Sequence, residues 1–384
     1  MASLLLAIIY ISFVSLGLPD ALLGAAWPVM QGELNVPLSY AGGISLIIAI
    51  GTVISSLQSD RLTKWLGPGR VTAFSVAMTA AAIFGFSTSN AYWQLCLWAI
   101  PYGLGAGSVD ASLNNYVALH YASRHMSWLH CMWGLGASIG PYIMGAALTG
   151  GMHWHSGYAI IAVLQVILTA VLFFSLPLWK NPARSPESAE AARPLTLKQI
   201  VSIPGAKEVM VAFFCYCGLE QTAILWGSSY LVIHNGMQEE LAASLASLYL
   251  LGLTFGRGLN GFLTYKLNDS NLIRLGEGVI TLGVVIMLLP LGDMTSFAGL
   301  MLCGLGCAPV YPCIIHSTPA HFGEEHSQAI IGVQMASAYV GICCLPPIFG
   351  LIANHVSAAL MPWYLGLLLL VMTVMSEGLN RKCR

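Results

Sequence analysis

The chain has 384 residues, of which 57% are hydrophobic and 8% charged, and its formal net charge is −1 at pH 7. Soluble domains carry about 25% charged residues, so this composition excludes an ordinary soluble fold, and a near-neutral chain without a basic stripe offers nothing to nucleic acid. At about 32 residues per apolar run there is no room for a soluble catalytic domain, and no G-x-x-x-x-G-K-S/T loop supplies a P-loop motor.

Twelve apolar runs follow one another, near 4–30, 38–58, 71–89, 93–119, 127–149, 156–178, 208–234, 241–264, 274–292, 296–316, 328–353 and 359–377. Each can cross ~30 Å of hydrocarbon at 1.5 Å per helical residue. The first is too long for a signal-peptide core and lacks a basic n-region, so it is expected to be retained. Connection 179–207 is rich in charge and carries Pro182, Pro186 and Pro194, which predicts a cytoplasmic linker with a short interfacial helix at 196–202. The expected organisation is a six-helix bundle over 1–178, the linker 179–207, and a second six-helix bundle over 208–384 with a short cytoplasmic tail.

Fourteen of the 15 Lys and Arg residues lie in the even-numbered connections or the C-terminal tail, and the odd-numbered connections hold none. The positive-inside rule then puts both termini in the cytoplasm, in the cell (plasma or inner) membrane. Only Arg257 is left inside a run. The fold class expected is an all-α polytopic membrane protein of twelve transmembrane helices.

The halves repeat. Gly103-Leu104-Gly105 then Val109 returns as Gly304-Leu305-Gly306 then Val310, at an offset of 201, and Gly17-Leu18 returns as Gly218-Leu219. At an offset of 205, Gly136, Pro141 and Gly145 meet Gly341, Pro346 and Gly350. Parallel six-helix repeats place a substrate site at the repeat interface near the bilayer midplane.

Between runs two and three the chain reads Ser59-Asp60-Arg61-Leu62 and ends Gly67-Pro68-Gly69-Arg70, with a degenerate copy at Gly261, Lys266-Leu267 and Arg274 after run eight. This resembles the G-x-x-x-D-R-x-G-R-R loop of the major facilitator superfamily, although Ser56 stands where the leading Gly belongs and extra residues precede Arg70. Ser15-Leu16-Gly17-Leu18-Pro19-Asp20, and Asp110-Ala111-Ser112-Leu113-Asn114-Asn115 running on to Trp128-Leu129-His130-Cys131-Met132-Trp133-Gly134, resemble the fucose–galactose–gluconate:proton symporter branch and its bacterial glucose/mannose relatives. The resemblance implies a major facilitator fold, with acids in spans one and four handling proton and sugar. Span four of the fucose symporter carries Glu where this chain has Asp110. The resemblance also implies a cytoplasmic gate of charge pairs and helix ends at Asp60, Arg61 and Arg257.

Asp20 falls roughly 5 Å beyond the centre of its run and Asp110 at comparable depth on the inner side. An ionised carboxylate there costs several kcal/mol, so each should border a polar cavity or carry a proton. Glu220 is a third intramembrane acid, and the three are the expected proton-coupling groups. Asn114 shares the helical face of Asp110, and is as well suited to bridging helices as to binding a ligand. His130 and Trp133 share one face of run five, where hydrogen bonding and packing compete with a site role. Gln221 is the repeat counterpart of Asp20 and suits a hydroxyl-rich solute with both donor and acceptor. Trp226, Tyr311 (between Pro309 and Pro312), Gln334 and Tyr339 are further candidates for the cavity wall. Glu277 and Glu377 lie near run ends and are expected to reach water. His153 and His155 stand at i, i+2 with no third ligand in view, so no metal site is expected; the ten cysteines show no zinc spacing.

These residues point to a secondary active importer of a sugar or similar neutral polar solute, driven by protons through alternating access. No midplane Lys or Arg is present to bind an anion, which argues against sugar phosphates, nitrate or dicarboxylates. No cofactor is expected beyond the transported proton, with sodium as the other possible coupling ion. The expected partners are membrane lipid and a neutral small molecule, with no nucleic acid, and the expected state is a monomer. The alternative is a proton-driven efflux antiporter for a lipophilic or cationic compound, since Gly136-x-x-x-Gly140-Pro141-x-x-x-Gly145 resembles the antiporters' span-five motif. Met144 and Ala99 depart from the antiporter pattern. A sensor or an enzyme ranks lowest, because no nucleophile, metal cluster or acid–base pair is evident at one depth.

Overall fold

The computed structural model describes residues 2–37, 39–179, 194–289 and 292–383. Lys180, Arg184 and Arg193 of the linker, and Arg384 of the tail, lie outside the described residues. The described chain is all helical. Its elements are α1 (Ala2–Gly17), α2 (Leu22–Glu33), α3 (Tyr40–Leu66), α4 (Pro68–Ser87), α5 (Tyr92–His120), α6 (Ser123–Thr149), α7 (Trp154–Ser175), α8 (Leu197–Ser202), α9 (Ala206–Ile233), α10 (Glu239–Leu263), α11 (Asp269–Leu288), α12 (Asp293–His316), α13 (Thr318–Phe322), α14 (Glu324–His355) and α15 (Met361–Lys382).

Ten spans are long and apolar enough to cross a membrane, with α1 and α2 counting as one from Leu4 to Glu33. The long helices α5, with Asp110, Asn114 and Asn115, and α10, with Arg257 and Asn260, complete the twelve. Large apolar side chains stand on the accessible surface, Phe174 at 87% and Tyr142 at 80% exposure. In water such a surface would drive aggregation; against acyl chains it carries no penalty.

Two elements differ from the sequence reading. Run one is two helices, because Pro19 has no N–H to donate and pushes the residue before it out of the α region. The break is closed by three-residue turns, from Asp20 N to Gly17 O (3.1 Å) and from Leu22 N to Pro19 O (3.1 Å). Run two continues as helix α3 to Leu66, so Asp60 and Arg61 lie in its last turns rather than in a loop. Nothing in Asp60–Trp65 breaks a helix, and the connection shrinks to Gly67, whose φ of 81° favours glycine.

The chain divides into two compact units, Met1–Tyr116 with Leu129–Leu195, and Val117–Trp128 with Thr196–Arg384. In the first, Leu22, Trp27, Met30, Ile44, Phe86, Leu95, Trp154 and Tyr158 form a packed core. In the second, α9 lies against α14 and α15, and α11 against α12. Helix α8 starts at a capping box, Thr196 Oγ1 accepting from Gln199 N while the Gln199 side chain accepts from Thr196 N.

Candidate functional site

In the first unit, the break between α1 and α2 is seated on α6. A Cβ on Gly136 would strike Val14 O, and one on Gly140 would strike Leu18 O, so only glycine permits this approach. The approach brings the Asp20 carboxylate under two donors, Trp133 Nε1 from α6 (2.8 Å) and Tyr102 Oη from α5 (3.0 Å). Asp20 is exposed as a residue, and its carboxylate is held by both donors.

Asp110 is buried, at 6% exposure. Asn114 Nδ2 donates to Asp110 Oδ1 (2.8 Å), and His130 Nε2 lies 3.1 Å from Asn114 Oδ1. With the Asn114 amide oriented this way, its oxygen accepts and His130 Nε2 carries the proton. Phe13 of α1 meets the His130 ring edge-to-face at 5.4 Å. Asn114 is wholly buried and its amide is engaged at both ends, which makes it a strut between an acid and a histidine. The Asp20 and Asp110 carboxyls are within electrostatic reach of each other. Among the described residues no Lys or Arg pairs with either.

In the second unit Glu220 is differently placed. Arg257 Nη2 reaches both of its oxygens, at 3.2 and 3.3 Å, and the guanidinium lies 5.9 Å from the centre of the Tyr311 ring. Tyr216 Oη donates to Glu220 and also contacts Cys307 O (2.9 Å). Sequence reasoning grouped Arg257 with Asp60 and Arg61; the structure groups it with Glu220, and Arg257 is 2% exposed. The Tyr311 ring packs on Phe213 at 4.7 Å, and its hydroxyl lies 3.3 Å from Met335 Sδ.

Gln221, beside this cluster, is half-buried, and its amide makes no hydrogen bond among the described residues. Trp226 Nε1 is tied to Pro346 O (2.9 Å). Gln334 is fully buried against Thr318 Oγ1 (3.0 Å) and lines no opening; Tyr339 is half-buried.

Asp60 is 4% exposed and pairs with Lys64 (3.0 Å), one turn on, while Arg61 is exposed. Glu277, expected at water, is buried beside Ser376 of α15, because α11 lies against α15 along that face. Glu377 does reach the surface and accepts both ends of Arg274 (2.5 and 2.9 Å).

The sequence reading missed several members. Tyr216 stands four residues before Glu220, an acid already singled out, and that spacing was the available signal; Tyr102 meets Asp20 from another helix, at no fixed offset in sequence. A polar cluster in the second unit carried no signal at all. There Asp269 accepts from Ser123 and lies 2.6 Å from His316 Nδ1, while His316 Nε2 donates to Tyr121 O (3.1 Å) and Asn260 Nδ2 donates to Ser127 Oγ (2.8 Å).

Comparison with known proteins bears on the whole chain. The family described as the Major Facilitator Superfamily matches residues 9–341. Similar proteins include bypass of stop codon protein 6 of Saccharomyces cerevisiae, 22% identical over 92% of this chain and 77% of that protein. The glucose/mannose transporter GlcP of Bacillus subtilis is 21% identical over 86% of this chain and 84% of its own length. The solved structure of FucP, an E. coli fucose:proton symporter, superposes with a TM-score of 0.80 at 16% identity, over 99% of this chain and 98% of that one.

Proposed function

The chain belongs to the Major Facilitator Superfamily; it is an integral membrane transporter and not an enzyme, and we propose that it takes up a sugar or similar neutral polar solute, coupled to protons, by alternating access. Both termini are assigned to the cytoplasm, by the charge bias of the connections, and the membrane to the cell membrane.

The observation that carries the proposal is the contrast among the three intramembrane acids. Glu220 has a permanent counter-charge in Arg257, since a guanidinium stays protonated. Among the described residues, Asp20 and Asp110 have only neutral donors, Trp133, Tyr102 and Asn114. An ionised carboxylate without a counter-charge is costly in low dielectric. Protonation removes the charge penalty that would otherwise oppose passage through an occluded state, and this links the proton to the reorientation. Proton coupling is therefore assigned to Asp20 and Asp110, and Glu220 to a fixed pair with Arg257.

A neutral solute follows from the same inventory. The one buried Arg in a described span is already paired, and the free Gln221 amide offers the donor and acceptor that a hydroxyl-rich ligand uses. The names of GlcP and FucP point the same way. The glycine run that resembles the antiporters' motif has a packing duty here, since Gly136 and Gly140 seat the α1 break, so it lends the efflux reading no support.

The test is uptake into proteoliposomes under an imposed proton gradient, with and without sodium. Asp20→Asn and Asp110→Asn should each abolish accumulation and leave counterflow exchange of the same solute. Undiminished accumulation in both variants would sink the coupling role, and accumulation that needs sodium and no proton gradient would replace the proton.

A further inference from the structure

We propose that the first unit carries a binding site for a divalent d-block metal ion, zinc being the test ion, formed by Glu33, His153 and His155. Glu33 closes α2, and the two histidines flank Trp154 where α7 begins. Residues separated by 120 positions in sequence thus meet at one end of the unit, the end that the charge bias assigns to the exterior.

The three candidate ligand atoms all lie within 4.8 Å of one another. His153 Nδ1 is 3.1 Å from His155 Nδ1 and 3.4 Å from Glu33 Oε2. Tetrahedral zinc with bonds of 2.0–2.1 Å spaces its ligands ~3.3 Å apart. These separations already match, with no rearrangement of backbone needed to admit the ion.

The surroundings orient each ligand. Ser89 O, just past the end of α4, lies 2.9 Å from His155 Nε2. A carbonyl only accepts, so the proton of a neutral His155 sits on Nε2 and the Nδ1 lone pair points into the cluster. An N–H bonded to a backbone carbonyl behind the metal-facing nitrogen is the usual support of a histidine ligand. Trp154 is buried, its Nε1 donates to Glu33 Oε2 (2.7 Å), and its indole stacks on the His155 ring at 3.6 Å. His153 has no such support and is largely exposed, at 62% of its side chain, so it is free to turn Nδ1 to the ion and move its own proton to the solvent-facing Nε2.

Two imidazoles and one carboxylate suit zinc and its neighbours in the d-block; calcium and magnesium call for sets of six or more oxygens. Three protein ligands with an open, solvent-facing side leave the fourth position to water or a small anion. Bound metal would clamp the end of α2 to the start of α7, both in the same unit. Neither Asp20 nor Asp110 is involved, so the site stands or falls independently of the transport reading.

The experiment uses the full-length protein, purified in detergent and washed with EDTA, titrated with zinc by calorimetry and with cobalt(II) by absorption. The expected result is one equivalent of zinc, tetrahedral cobalt bands without thiolate charge transfer, and a zinc-dependent rise in melting temperature. Glu33→Gln and His153→Ala, both of exposed side chains, should each weaken zinc binding at least tenfold and remove the rise. Absence of zinc binding in the unaltered protein, or affinity unchanged in both variants, overturns the proposal.

Discussion

Glu220 and Asp20 occupy adjacent positions in the repeat alignment, and composition treats them alike. What separates them is their partners. Glu220 meets Arg257 from 37 residues away, and Asp20 meets Trp133 from 113 residues away. Removing one member of a buried ion pair leaves an uncompensated charge and costs about 3–5 kcal/mol. Glu220→Gln should therefore lower stability to chemical denaturation by that order, and Glu220→Gln with Arg257→Gln should recover part of the loss. A single variant as stable as the parent would show that the pair is not structural. That the acids are expensive was legible from their apolar surroundings alone. Which of them is neutralised was not, because a partner on another helix has no fixed offset in sequence.

At the scale of elements, Gly136, Gly140 and Gly145 belong to one glycine motif in α6. The fold gives them different duties. Gly136 and Gly140 touch the backbone of the α1 break, whereas a Cβ on Gly145 would meet nothing within 4 Å. Gly140→Leu should thus destabilise by about 3 kcal/mol through overpacking, and also displace Asp20 from Trp133 and reduce uptake. Gly145→Leu should change neither. Melting temperature and uptake, measured on both, check the pair of expectations; equal effects would refute the packing account. The repeat seen in the sequence has a physical counterpart here, since Gly341 of α14 meets Phe214 O of α9 much as Gly136 meets Val14 O. Helix bounds were less legible. Hydropathy marks where lipid begins, and α3 runs past that point through Asp60, Arg61 and Lys64, which a helix accommodates without cost.

At the scale of the whole molecule, the two contact units do not follow the expected division at the linker, because Val117–Trp128 belongs with Thr196–Arg384. In that segment Ser123 bonds Asp269, Ser127 bonds Asn260, and Trp128 Nε1 donates to Gly258 O (3.2 Å). Residues 194–384 expressed alone lack all three partners and Tyr121 O as well, so buried Asn260 loses the Ser127 hydroxyl and His316 loses its carbonyl acceptor, while Asp269 keeps only His316. Unsatisfied buried groups cost about 1–3 kcal/mol each, so this half should melt lower than when it is co-expressed with residues 1–193. Equal melting temperatures would mean that the segment adds nothing to the unit.

Length, hydropathy and the one-sided distribution of Lys and Arg by themselves determined a twelve-span helical membrane protein with an internal repeat, because lipid leaves the backbone no other way to satisfy its hydrogen bonds over so many apolar runs. The same cost marked the intramembrane acids as the chemistry to examine. Only the tertiary structure decided that Arg257 neutralises Glu220, that Asn114 ties Asp110 to His130, and that Glu33 stands beside His153 and His155. A hydrogen bond or an ion pair is set by distance in space, and packing alone converts sequence separation into that distance.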